Sequence, residues 1–350
     1  MRWRNFRVPG GALGTLGAVP SEGAGAKGSR EGGEFLNSDS LDMLVAQPMY
    51  INRAPGVPLG LRLPLASFRR HGKIFVNEFD LRTDLSLTAI GSTEADSVGM
   101  GTAKGLDMWQ SVFRRAAGQM MANGAGWWMF DMAGGWYESA RIAADIADAG
   151  RIYRKLLDSP KVPWRPSMAV LIDEQGSLAS VAGKEPGRDF NAYHAVLASS
   201  GVPYWQFLAE DVLSDASALD GMRVVVWFGL RNGGDSARKE LLAKLKAQGV
   251  RLVLPEELLR LSGRQLHGIA LAADAYVPSE KYGLQVDMNG NFVSVHALLP
   301  GEYSLRFPYP AEVINLKNGH RRKMRGGVLR VSVFAGETLW YGYSSPKGHK

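Results

Sequence analysis

The sequence predicts an α/β chain in three successive parts: a partial (β/α) barrel, a small doubly wound domain and a small antiparallel β domain. Three observations carry this. Between Leu41 and Tyr137 short apolar runs end in polar or aromatic residues and are separated by crossover lengths. After Pro163 apolar strand runs alternate with helical stretches closed by glycine. From about Leu271 closely spaced strand-like segments are divided by turns, two of them opening with Asn-Gly at 289 and 318, a strong hairpin signal. The expected units are a Gly- and Ala-rich leader over 1–34, the partial barrel over 35–162, the doubly wound domain over 163–270 and the β domain over 271–350.

Each element has its own reason. Leu41 to Tyr50, LDMLVAQPMY, reads as a buried strand ended by Pro48, with Tyr50 and Arg53 beyond it. Gly72 to Asp84, GKIFVNEFDLRTD, is a second strand whose alternation sets Glu78, Asp80 and Arg82 on one face and Phe79 and Leu81 on the other. Gly105 to Gly124 is a helix, because Leu106, Trp109, Phe113, Met120 and Met121 recur at near-helical spacing and Gly124 stops it. GWWMFDMAGGWY, Gly126 to Tyr137, supplies a third strand and an acidic, aromatic loop. Fewer than eight βα units fit before Pro160, since a whole barrel needs at least about 200 residues.

In the second part Met168–Ile172, Val202–Phe207, Met222–Trp227 and Val250–Leu254 read as strands, with helices over Phe190–Ser200 and Ser236–Gln248. The turn after its first strand, DEQGS, lacks a dinucleotide-binding glycine pattern. In the third part strands are expected over Tyr282–Met288, Phe292–Leu298, Tyr303–Phe307, Ala311–Leu316, Val328–Phe334 and Thr338–Tyr343.

Composition narrows the chemistry. The 350 residues include no cysteine, so disulfides, thiolate metal sites and a cysteine nucleophile are excluded together. The six histidines are scattered without an i, i+4 pair, and neither metal nor cofactor is expected. The net charge of +7 gathers at the two ends and in one late loop, which argues against a nucleic-acid surface. No apolar run approaches the roughly 18 residues that span a bilayer, and the glycines and prolines of the first 20 residues make a poor export signal, so a cytoplasmic protein is expected.

Taken in order, these segments resemble the C-terminal half of the glycoside hydrolase family 42 β-galactosidases: a barrel end, a flavodoxin-like trimerisation domain and a small β-sandwich. LDMLVAQPMYINR resembles the sixth barrel strand, GKIFVNEFDLRTD the seventh and GWWMFDMAGGWY the eighth. The resemblance implies a retaining glycosidase with Glu78 as nucleophile and Asp80, two residues on, as the alternative. It implies Tyr50 beside the nucleophile and Arg82 holding the carboxylate ionised, with Arg53 and Asp131 among the sugar contacts. Only one of Trp127 and Trp128 can face inward, so Trp128 is a candidate sugar contact, and Trp136 and Tyr137, past two glycines, are the better stacking platforms. The family's acid/base glutamate lies on its fourth strand, and nothing before residue 35 supplies one. Asp131, Glu138 or a neighbouring subunit could replace it, and a homo-oligomer is expected because an open half-barrel exposes apolar strands. The competing expectation is a carbohydrate-binding protein without hydrolysis; for Glu78, Asp80 and Arg82 alone it is a solvated strand end.

Overall fold

A computed structural model describes residues 32–49, 53–86, 105–131, 134–160, 162–173, 186–230, 234–309, 312–324 and 327–344. A short helix, α1 (Gly32–Asn37), precedes three parallel strands in the order β1 (Met43–Ala46), β2 (Ile74–Phe79) and β3 (Gly126–Met129). The connections carry α2 (Leu65–Arg70) and α3 (Gly105–Asn123), and α4 (Ala140–Asp158) follows β3. Alternation divides this sheet into two faces. Leu44, Phe75, Phe79 and Trp127 turn toward the helices, where Trp109, Phe113 and Met120 of α3 join them in one apolar core. Trp127 is held between rings, stacking on Phe79 at 6.0 Å and on Tyr153 of α4 at 5.3 Å. The other face stays open among the described residues, with Met43 41%, Ile74 50% and Trp128 44% exposed.

The second sheet is four-stranded and parallel, ordered β5 (Tyr204–Leu208), β4 (Met168–Ile172), β6 (Val224–Phe228), β7 (Arg251–Val253). Every residue of MAVLI is buried, as expected of a central strand covered on both sides. Its helices are α5 (Pro186–Ser199), α6 (Ala209–Ser214), α7 (Ser236–Ala247), α8 (Pro255–Leu258) and α9 (Gly263–Ala272). Asp235 caps α7, and Ser262 with Gln265 forms a capping box on α9. Arg238, in the first turn of α7, reaches back to Asp173 after β4 at 2.5 Å and to Glu210 at 2.9 Å, tying three strand ends together.

The last part holds an antiparallel five-stranded sheet, in the order β12 (Arg321–Lys323), β11 (Glu312–Asn315), β14 (Thr338–Ser344), β9 (Phe292–Ala297), β8 (Leu284–Met288). β10 (Gly301–Arg306) pairs separately with β13 (Val328–Val333). β12 is an exposed edge of three cations, a charge pattern that discourages pairing with another sheet. The sequence reading contained neither α2, α4, α9 nor this edge strand. Of α4 only Ile142, Asp145 and Ala149 are buried, too sparse a stripe to stand out.

The first and last parts meet at α3, while α2 packs on β5 of the second. Gly118 lies so close to the last sheet that a Cβ there would sit 2.1 Å from Ser294 Oγ, and Trp340 Nε1 donates to the Arg114 carbonyl at 3.1 Å. Beside this contact Gln119 and Gln285 both donate to the Leu59 carbonyl, at 2.8 and 3.0 Å, and Gln285 also donates to Asp287 at 2.9 Å. Burial pushes the Asp287 carboxyl up to about 6, against hydrogen bonds and the Arg115 charge that favour ionisation. Folding therefore favours the protonated form. Its contribution is complete below the unfolded value of about 3.9 and is lost as pH rises through about 6, up to about 3 kcal/mol. Thermal melts should show the wild type losing stability over that interval relative to Asp287→Asn. Parallel pH profiles for the two proteins would refute this assignment.

Candidate active site

At the C-terminal end of the three-stranded sheet the register places functional side chains side by side. Glu78 of β2 pairs with Trp128 of β3, and Gln47 follows directly after Ala46, the partner of Asn77. These three residues thus share the open face with Val45, Val76 and Gly126. Gln47 Nε2 donates to Glu78 Oε1 at 3.2 Å, and Glu78 is 8% exposed. The carboxylate is held by an amide rather than by a cation, so one oxygen keeps lone pairs free for an incoming electrophile. Gln47 was absent from the sequence expectations. Counting the parallel register one step past Ala46 would have found it.

Asp80 has a different fate. Arg53 Nη2 donates to Asp80 Oδ1 at 2.7 Å and Nη1 to the Asp80 carbonyl at 3.2 Å. The same guanidinium donates to the carbonyls of Met49 and Pro48 at 2.8 and 3.1 Å. Both residues are buried: Arg53, expected as a sugar contact, clamps the segment after β1 to the end of β2, and Asp80, expected as the alternative nucleophile, is its counter-ion. Tyr50, expected beside Glu78, lies outside the described residues.

The loop after β3 is folded back under the site. Gly134 and Gly135 take φ of 80° and 83°, conformations that suit glycine, and turn Trp136 inward. Asp131 Oδ2 accepts the Trp136 N–H at 2.9 Å, and Thr83 Oγ donates to the Trp136 carbonyl at 2.5 Å. The indole is buried, so Trp136 cannot be a stacking platform, contrary to expectation. Tyr137 is likewise tucked in, its hydroxyl donating to the Phe79 and Phe130 carbonyls, both at 3.1 Å. Burial, then the charges of Asp80 and Asp131, push the Tyr137 hydroxyl upward, so it stays a neutral donor. Asp131 serves this loop instead of a sugar hydroxyl. Glu138 is exposed.

What remains at the surface is Trp128. Its ring meets Phe130 edge-on at 5.6 Å, Phe130 meets Trp136 edge-on at 6.5 Å, and the Arg82 guanidinium lies 5.6 Å from the centre of the Trp136 ring. Arg82 was expected to hold Glu78 ionised; among the described residues it forms no ion pair, and the neighbour bonded to Glu78 is Gln47. An exposed indole, a carboxylate with a free oxygen and an aromatic row ending in a cation thus stand together at the strand ends. Among the described residues no group of three or more His, Asp or Glu side chains is placed to hold a metal, and no helix is long and apolar enough to cross a membrane.

Three parallel strands followed by a doubly wound sheet and an antiparallel one have a counterpart in fold among solved structures. β-Galactosidase from Bacillus circulans sp. alkalophilus superposes with a TM-score of 0.50 at 12% identity, over 87% of this chain and 64% of its own. The chain resembles the GH42 β-galactosidases. Gan42B, a GH42 β-galactosidase, matches with a TM-score of 0.48 at 10% identity over 85% of this chain and 63% of its own. The β-galactosidase of the Antarctic haloarchaeon Halorubrum lacusprofundi gives 0.48 and 11% over 86% and 63%. The chain thus spans less than two thirds of these structures. No family model and no curated protein matches its sequence.

Proposed function

We propose that this chain is the nucleophile-bearing part of a retaining glycosidase acting on β-galactosides, with Glu78 as the nucleophile. One observation carries the reading. Glu78 ends a parallel strand on the open face, next to exposed Trp128, with a carboxylate oxygen not taken up by Gln47. An exposed indole beside a carboxylate is suited to a pyranose, whose apolar face stacks on the ring while the anomeric carbon approaches the oxygen.

In the first step a Glu78 oxygen attacks the anomeric carbon as the bond to the aglycone oxygen breaks, and the aglycone leaves with that electron pair and a proton. Water then attacks the same carbon, giving its proton to the group that had protonated the aglycone, and the bond to Glu78 breaks to free the carboxylate. The proton donor should stand about 5–5.5 Å from Glu78. Asp80 is bound to Arg53, whereas Asp131 gives only Oδ2 to the Trp136 N–H, so Asp131, Glu138 or a carboxylate of a neighbouring subunit is the donor in this reading. A homo-oligomer would supply the last of these and cover the open sheet face. The Arg53–Asp80 pair also favours a second reading, a carbohydrate-binding protein without hydrolysis, because it leaves one carboxylate on this face.

A dinitrophenyl β-galactoside bearing fluorine beside the anomeric centre separates the two, since its leaving group needs no proton and the glycosyl ester persists. Mass spectrometry should find one sugar on the peptide containing Glu78, and none on Glu78→Gln. A sugar attached elsewhere, or bound without attachment, would remove Glu78 from this role.

A further inference from the structure

We propose that Gln47 is a positioning residue for Glu78 and that its effect falls mainly on the release of the sugar. The inference rests on the glycosidase reading above and adds a residue to it. One contact carries it: Gln47 Nε2 donates to Glu78 Oε1 at 3.2 Å, across two strands locked in parallel register. An ionised carboxylate only accepts, so the amide presents its nitrogen to Glu78 and turns its own oxygen elsewhere.

Both ends of the contact stand on a fixed backbone. Arg62 Nη1 donates to the Gln47 carbonyl at 3.2 Å, and the next carbonyl, that of Pro48, accepts from Arg53 Nη2 at 3.1 Å. Glu78 pairs with Trp128 of β3, and Asn77 before it pairs with Ala46 of β1. Gln47 is half-buried on the open face, opposite the apolar core behind the sheet. With the backbones held, this hydrogen bond sets the plane of the carboxylate and leaves Oε2 as the attacking oxygen.

The charge on Glu78 changes in opposite senses in the two steps. As Oε2 bonds to the anomeric carbon, carboxylate charge passes into the ester and the pull of the Gln47 N–H on Oε1 weakens. When the ester breaks, the electron pair of that bond returns to Glu78, and negative charge spreads over both oxygens, one of which already faces the donor. A donor fixed where charge develops lowers the barrier of that step, and one fixed where charge fades does not. Gln47 therefore assists the first step by orientation alone and the second by orientation and electrostatics together.

The two steps can be timed separately. The fluorinated dinitrophenyl β-galactoside forms the ester without a proton donor, and azide removes the sugar without a base, its nitrogen bonding to the anomeric carbon as the bond to Oε2 breaks. Mass spectrometry follows both. In Gln47→Met release to azide should slow at least about tenfold, and formation should slow less. Gln47→Lys, which keeps an N–H donor, should regain part of the release rate. Gln47→Ala takes the place of the methionine variant if melting curves show the latter unfolded. Equal slowing of both steps, or release as fast as in the wild type, would overturn the proposal and leave Glu78 as the nucleophile. No ester on the wild-type protein would remove the glycosidase reading and this inference with it.

Discussion

Glu78→Gln is expected to fold like the wild type and to hydrolyse a nitrophenyl β-galactoside at least about a thousandfold more slowly, a loss of about 4 kcal/mol in transition-state stabilisation. The two properties separate because of what surrounds the side chain. Gln47 donates to Oε1, an acceptor that glutamine also has, so the contact across β1 and β2 survives. The substitution also removes a charge from a residue only 8% exposed, so the folded state has nothing to lose from it. The amide oxygen, in contrast, cannot form and release a glycosyl ester at a useful rate. A melting temperature equal to or above that of the wild type, together with lost turnover, is the expected pair of results. Retained turnover in Glu78→Gln would dismiss the nucleophile assignment, and a large fall in stability would mean that the carboxylate has a structural partner.

The strand that carries Glu78 was legible from local information, and much of its surroundings was not. Successive side chains of a strand take opposite faces, so the face carrying Glu78 in IFVNEF follows from period two, and the apolar blocks MAVLI and VVVWF announce a buried parallel sheet. Two placements depend on partners distant in sequence. Arg53 looked like a ligand contact because it follows a strand, yet its carboxylate lies 27 residues on. Trp136 looked exposed because it follows two glycines. Those glycines form the turn that brings it inward, and Thr83, 53 residues away, donates to its carbonyl. Trp127 and Trp128 were correctly separated by alternation, but which of them faces the helices depends on the register with β2, and that is set by packing on α3.

Arg53→Met should cost about 3–5 kcal/mol, the largest effect on stability expected of a single change in this region. Methionine fills much of the space, so the loss comes from charge and hydrogen bonding rather than from a cavity. Among the described residues the bonds to the carbonyls of Met49, Pro48 and Asp80 and the 2.7 Å contact with Asp80 Oδ1 disappear. Asp80, itself 6% exposed, is left as an uncompensated buried carboxylate. Arg53→Met with Asp80→Asn removes both charges, and the pair should lose less than the sum of the single variants, a coupling readable in a double-mutant cycle. Activity should fall with stability, because the clamp joins the segment after β1, which carries Gln47, to the end of β2, which carries Glu78. Additive losses, or a melting temperature unmoved by Arg53→Met, would show that this end of the sheet is held by something other than the buried pair.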